Sequence, residues 1–174
     1  DNGMSERTVD ELINAAFTMS KPKTGALIVI ERNENLAYIE KTGILINGIV
    51  SSQLLINIFE HNTPLHDGAV LIRGNTIVSA TCYLPLSENM RISKDLGTRH
   101  RAAIGISEVS DSITIVVSEE TGRVSVAFGG NLIKVNDSEE LRKELSVLLE
   151  NTAEEKKSSL WSKLLKGRGN EKDK

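Results

Sequence analysis

The chain holds one cysteine, Cys82. That excludes an internal disulfide and any cysteine-cluster zinc site, suits a reducing cytosol, and leaves Cys82 as an expected small buried hydrophobe. Aromatic residues are equally scarce, with one Trp, two Tyr and three Phe. No apolar run approaches the ~18 to 20 residues of a membrane-spanning helix. The first twenty residues lack both the basic start and the hydrophobic centre of a signal peptide, so this stretch is expected to be soluble and unexported. A strong charge of either sign is also missing: the net charge is −3. Residues 154–174 carry seven Lys or Arg against four Asp or Glu, giving +3, so residues 1–153 carry −6. An acidic body argues against nucleic-acid binding, which needs a basic face. What remains, 39% hydrophobic and 26% charged residues over 174 positions, is the composition of one folded globular domain.

Periodicity divides that domain into alternating helices and strands. Val9, Leu12, Ile13, Ala16 and Phe17 form a helical stripe over residues 5–20, with Ser5 or Thr8 as its cap. Apolar runs predict strands at 25–31, 44–50, 69–72, 76–83, 113–117 and 124–128, with a short piece at 132–135. Ser51 caps a helix to about Glu60, and another helix is expected from Arg99 to Glu108. Arg73-Gly74-Asn75 and Glu119-Glu120-Thr121-Gly122 read as hairpin turns, and Asp137 with Glu140 as a capping box for a last helix bearing Leu141, Leu145, Leu148 and Leu149. The fold class is therefore α/β, a single domain with a mixed central sheet flanked by helices. Residues 1–4 read as a candidate vector-derived remnant. Residues 151–174 form a charged tail in which Leu160, Trp161, Leu164 and Leu165 share one helical face.

Four segments carry candidate chemistry. Gly97-Thr98-Arg99-His100-Arg101 stands where a polar loop turns into a helix; its free N–H groups, helix dipole and side-chain donors all attract an anion such as a triphosphate. The same residues also suit a capped surface helix with solvated arginines. Asp67-Gly68 enters a strand, where a carboxylate can face a divalent cation while the glycine lets a nucleotide lie close; His66 beside it is a softer ligand, better suited to Mn²⁺ or Co²⁺ than Mg²⁺. An Asp-Gly turn without any ligand fits equally. Tyr83-Leu84-Pro85 ends a strand and offers an aromatic face and a backbone edge to an adenine, or simply a tyrosine at the sheet rim. Ser118-Glu119 follows a buried strand and suits a ribose or phosphate contact, or a plain hairpin. His61 has no such company and is read as structural.

Taken in order, Asp67-Gly68-Ala69 and, thirty residues on, Gly97-Thr98-Arg99-His100-Arg101 resemble the paired DGA and RHR motifs of the diadenylate cyclase family, over roughly residues 5–150. The similarity is greatest to the membrane-tethered CdaA type of Gram-positive bacteria. The resemblance implies synthesis of cyclic di-AMP from two ATP, with release of two pyrophosphates and a divalent metal, Mn²⁺, Mg²⁺ or Co²⁺. It implies metal positioning and activation of the 3′-hydroxyl by Asp67, with His66 as a second metal ligand. It further implies close nucleotide approach at Gly68, phosphate contacts from Gly97, Thr98, Arg99 and His100, and support of that motif by Arg101. Tyr83 and Leu84 would receive adenine, and Ser118 and Glu119 the ribose or phosphates.

Ring closure by two reciprocal attacks implies a homodimer with facing sites. A membrane-bound regulator and the phosphoglucosamine mutase GlmM are the further partners implied, and the full-length protein would sit at the cytoplasmic face of the cell membrane. The N-terminal membrane helices of the CdaA type and the DNA-binding portion of the DisA type are both absent from this sequence. A non-catalytic module sensing ATP or cyclic di-AMP is the alternative.

Overall fold

The structure is a computed structural model of the chain and describes residues 3–89, 91, 94, 96–150 and 165. The chain divides into two compact units, residues 1–141 and 142–174. In the second, residues 142–150 are helical and Leu165 is helical and exposed; the face expected from Leu160, Trp161 and Leu164 lies outside the described residues. Among the described residues no helix is long and apolar enough to cross a membrane.

The first unit is built on seven strands: β1 (Ala26–Ile30), β2 (Ile44–Ile49), β3 (Ala69–Arg73), β4 (Thr76–Cys82), β5 (Ile113–Val117), β6 (Val124–Phe128) and β7 (Asn131–Val135). Their order in the sheet is β2-β4-β3-β1-β5-β6-β7. Only β1 and β3 run parallel; every other neighbouring pair is antiparallel, so the sheet is mixed, as composition and pattern predict. β1 is central and all five of its residues are buried, which is why it reads as an unbroken apolar run rather than an alternating one.

The pleat sends alternate residues to opposite faces. Leu27 and Val29 pack in one cluster with Leu71, Val116 and Ala127 and with Ala102, Ala103 and Ile106 of helix α4 (Thr98–Val109). Leu36 and Ile39, flanking and within the short α2 (Ala37–Glu40), join the same cluster. Helix α1 (Glu6–Ser20) buries Leu12, Ile13, Ala16 and Met19 and packs with α3 (Ser52–Phe59). Ser5 and Ser51 cap these two helices, each hydroxyl accepting a backbone N–H from three residues on, Thr8 at 3.2 Å and Leu54 at 3.1 Å. At the last helix Asp137 accepts the Glu140 N–H at 2.9 Å, whereas the Glu140 carboxylate reaches back to the Asn136 N–H at 2.8 Å, one residue beyond the expected box.

Helix α2 escapes the sequence pattern because a single turn leaves no periodicity to detect. It is held from the side by Arg73, whose guanidinium donates to Glu40 at 2.7 Å and to both carboxylate oxygens of Glu31 at 2.7 and 2.8 Å. Burial alone would raise the Glu31 pKa; hydrogen bonds from Arg73 and the Leu36 N–H, with the Arg73 charge, outweigh it and hold the carboxyl below its ordinary value.

Strand direction decides where chemistry can gather. β1 and β3 begin at the same end of the sheet at which β4 and β5 finish, so Gly25, Asp67-Gly68, Thr81 to Tyr83 and Ser118-Glu119 meet there.

Candidate functional site

Entry into β3 is shaped by glycine. Gly68 has φ +79°, the left-handed region, and a β-carbon there would come within 2.7 Å of the Cys82 carbonyl oxygen. On the partner strand Thr81 also has a positive φ, 54°, and the register between β3 and β4 slips beside it: Ala69 faces Cys82 while Leu71 faces Ser79. The extra residue is a β-bulge, which lets the two backbones close and turns Asp67 outward. The Asp67 side chain is 85% exposed, with Oδ1 3.2 Å from Nε2 of His66. The other ring nitrogen of His66, Nδ1, lies 2.6 Å from the Thr63 carbonyl oxygen and so carries the proton it donates. His61 stands edge-on to the His66 ring at 5.8 Å.

Opposite this turn is the start of α4. The first helical hydrogen bond runs from the Arg101 N–H to the Gly97 carbonyl at 3.2 Å, so the N–H groups of residues 98–100 precede the helix's own ladder. Gly97 itself is extended, φ −75° and ψ −178°, and a β-carbon there would meet nothing within 4 Å. Glycine is therefore not required there by the protein's own packing; it leaves the space before the helix open. Arg99 is pinned between two elements, its Nη1 3.1 Å from Glu119 Oε2 and its guanidinium against the backbone of Gly25. Burial lowers the pKa of His100, with the Lys134 and Arg99 charges acting the same way and Glu120 opposing them, so the imidazole is neutral at pH 7 and offers a hydrogen bond rather than a charge.

These pieces line one cleft of about 540 Å³, which includes Asp67, Gly68, Tyr83, Leu84, Thr98, Arg99 and Glu119. A carboxylate and a cationic helix start thirty residues apart in sequence thus share one cavity. Tyr83 lies just past β4, which ends at Cys82 rather than at the expected Tyr83; the residue is 76% exposed and its N–H donates to Thr42 Oγ1 at 2.8 Å. Leu84 is 4% exposed, so its side chain belongs to the core while also forming the cleft wall. Cys82 is buried as expected; burial raises its pKa, with the Ser79 hydroxyl 2.9 Å away acting in the opposite sense.

A second cavity of about 220 Å³ adjoins the first through Thr98, Arg99 and Glu119, and adds Gly97, His100, Ser118, Glu120, Arg123 and Lys134. Ser118 shapes the turn between β5 and β6: its Oγ accepts the N–H groups of Glu120 and Thr121, each at 3.2 Å. Arg101 lines neither cavity. Its carbonyl accepts the Ser87 N–H at 3.0 Å and ties the loop after β4 to the helix, a supporting position rather than a contact position. Gly25, Thr42, Thr81, Arg123 and Lys134 were not legible as site residues, because each becomes relevant only through a neighbour distant in sequence. Among the described residues no group of three or more His, Cys, Asp or Glu could hold a metal by itself.

Residues 13–132 match the family described as DisA bacterial checkpoint controller nucleotide-binding. The chain is 51% identical over 156 residues to the cyclic di-AMP synthase CdaA of Bacillus subtilis, covering 90% of this chain and 57% of that protein. It is 55% identical over 157 residues to a diadenylate cyclase of Listeria monocytogenes, covering 89% and 56%. The chain thus spans a little over half the length of these curated relatives. Among solved structures, a double mutant of DacA from Staphylococcus aureus superposes with a TM-score of 0.78 at 48% identity, over 82% of this chain and 94% of that one. A hypothetical membrane spanning protein from Bacillus cereus superposes with a TM-score of 0.73, also at 48% identity, over 74% and 63%. With its motifs meeting in one cleft and a family match over most of its length, the chain belongs to the diadenylate cyclase family.

Proposed function

We propose that this chain is the catalytic part of a diadenylate cyclase, which condenses two ATP into cyclic di-AMP and two pyrophosphates across a pair of facing copies. The observation that carries this reading is the shared cleft: Asp67 and the Thr98-Arg99 helix start line it together with Tyr83 and Leu84. Adenine lies on the exposed Tyr83 ring against the Leu84 wall. The α-phosphate meets the free N–H groups of α4, the Thr98 hydroxyl, the Arg99 guanidinium and the neutral His100. Asp67 takes the proton of a 3′-hydroxyl as that oxygen bonds to the α-phosphorus; the bond from phosphorus to the bridging oxygen breaks, and pyrophosphate leaves with the electron pair. Asp67 is open to solvent rather than enclosed by its own chain, which suits a carboxylate serving a reaction with a second chain's nucleotide. Two such steps related by a two-fold axis close the ring.

The residues present fit a divalent cation. Asp67 Oδ1 and Nε2 of His66, 3.2 Å apart, would make a two-donor edge, hard and borderline, that suits Mn²⁺ or Co²⁺ and, through the carboxylate, Mg²⁺. Two donors leave most of the coordination shell to phosphate oxygens and water, consistent with a metal that arrives with the nucleotide. Such a cation would neutralise phosphate charge and acidify the attacking hydroxyl.

For the whole protein we propose a place at the cytoplasmic face of the membrane, with a membrane-bound regulator and GlmM as partners. Incubation with ATP and Mn²⁺ or Mg²⁺, followed by chromatography of the nucleotides over a range of protein concentrations, tests the reading. Cyclic di-AMP formed with a specific activity that rises with concentration is expected. Recovery of ATP alone at high protein concentration with either metal overturns it, and tight nucleotide binding without product would mark a sensing module instead.

A further inference from the structure

Residues 21–25 join α1 to β1, and this end of α1 touches both members of the Arg99–Glu119 pair. The helix closes with Lys23 in the left-handed region, φ 58°. The Lys23 N–H donates to the Ser20 carbonyl at 3.1 Å and the Thr24 N–H to that of Met19 at 2.9 Å, the paired bonds of a Schellman motif. The chain then passes at once to Gly25, whose backbone lies against the Arg99 guanidinium. On the other side the Ser20 hydroxyl donates to the Gly122 carbonyl in the turn between β5 and β6. Gly122 has φ +76°, and a β-carbon there would collide with the Ser20 carbonyl oxygen, so turn and helix end meet backbone to backbone. The turn is also closed on itself: the Gly122 N–H donates to the Ser118 carbonyl at 2.9 Å, and the Ser118 N–H to that of Arg123 at 3.0 Å. Inside that ring Glu119 reaches Arg99 Nη1 at 3.1 Å. Glu119, Glu120 and Thr121 are exposed whereas Gly122 is buried, so the turn is gripped at its Gly122 end. The grip has a firm base, since α1 packs on β5 and β6 as well as on α3.

We infer that Ser20 is a positioning residue for the reaction: its hydroxyl holds the β5–β6 turn through the Gly122 carbonyl, the turn sets Glu119, and Glu119 orients the Arg99 guanidinium. Ser20 lines neither the cleft nor the cavity beside it, so it acts only through these neighbours. The inference rests on the cyclase reading and deepens it. A turn closed by its own hydrogen bonds has few ways to bend, so a shift at Gly122 is passed on to Glu119. Contact groups tolerate little of this, a misplacement of about 1 Å being enough to cost roughly 10²-fold in rate.

The test compares the wild type with Ser20→Ala, Ser20→Thr, Glu119→Gln and the double variant of Ser20→Ala with Glu119→Gln. For each, kcat/KM for ATP is measured and the Arg99 Nε–H resonance, identified by its loss in Arg99→Lys, is followed by NMR; thermal melting checks that the variants are folded. Ser20→Ala should melt within a few degrees of the wild type, shift the Arg99 resonance and lower kcat/KM by about 3- to 10-fold, the scale of one lost hydrogen bond. Ser20→Thr, which keeps the hydroxyl, should restore both. In the double variant the loss should equal that of Glu119→Gln alone, because Ser20 works through Glu119. Losses that multiply overturn the inference, as does an Arg99 resonance unmoved in Ser20→Ala. Should the wild type make no product, the cyclase reading fails by that result, while the Arg99 resonance still decides whether Ser20 sets the guanidinium.

Discussion

The Arg99 guanidinium lies against the backbone of Gly25, so close that a β-carbon at position 25 would come within 2.6 Å of Cζ. The Arg99 side chain, proposed above to meet phosphate, is therefore positioned by the residue just before the central strand, as well as by Glu119. Gly25→Ala displaces the flexible end of Arg99 rather than any backbone. Its melting temperature should stay within a few degrees of the wild type, while cyclic di-AMP formation falls about 10- to 100-fold, as misplaced contact groups do. A variant with full activity would show that the position of Arg99 is not set from this side.

Asp67 is open to solvent and its carboxylate meets little besides His66, so the fold depends little on its charge. Asp67→Asn should unfold at the wild-type temperature and lose about 10²- to 10⁴-fold in product formation, the range of a lost general base. Retained cyclisation would remove Asp67 from the proposed mechanism.

Thr42 joins α2 to the Tyr83 rim of the cleft: its hydroxyl donates to the Ile39 carbonyl at 2.6 Å and accepts the Tyr83 N–H at 2.8 Å. Thr42→Val frees an N–H that water can reach, so the stability cost should stay near 1 kcal/mol. A rise in KM for ATP of several-fold with little change in kcat, reversed in Thr42→Ser, is expected. Equal kinetics in all three proteins would detach Thr42 from nucleotide placement.

Gly68→Ala combines a left-handed φ with a collision against the Cys82 carbonyl oxygen. The cost should be about 1 to 3 kcal/mol, read as a lowered midpoint in denaturant titration, with activity reduced because the Asp67 turn shifts along with it.

Glu31 sets an acid limit on stability. Its carboxyl is held below the ordinary 4.5 when folded, so its contribution is fully present above that value and is lost as the pH falls through the lowered, folded one. Thermal melts from pH 7 downward should show wild-type stability falling most steeply below about pH 4.5. In Glu31→Gln the melting temperature should be lower at pH 7 and change less over that acid range. Parallel curves for the two proteins would show that the pair with Arg73 does not carry this dependence.

Much of the fold could be read from pattern alone, for a physical reason: β1 is buried on both faces and therefore uniformly apolar, while α1 and α3 are buried on one face and announce it with period and cap. Where burial is partial or an element is a single turn, the pattern fails. α2 went unseen, and β2, though expected as a strand, leaves the apolar Ile44, Leu45 and Ile49 exposed, so nothing in its sequence marks it as the sheet edge.

What the sequence determined by itself was the chemistry available: a carboxylate beside a glycine, a cationic helix start, a tyrosine where a strand stops, and the order in which they occur. Only the tertiary structure decided that they meet, since the parallel pairing of β1 with β3 and the antiparallel return of β4 and β5 bring four chain segments to one end of the sheet. It also supplied the supports, Gly25 beneath Arg99 and Thr42 behind Tyr83. Such contacts depend on spatial neighbours up to 74 residues apart in the chain, and no local pattern encodes a partner that distant.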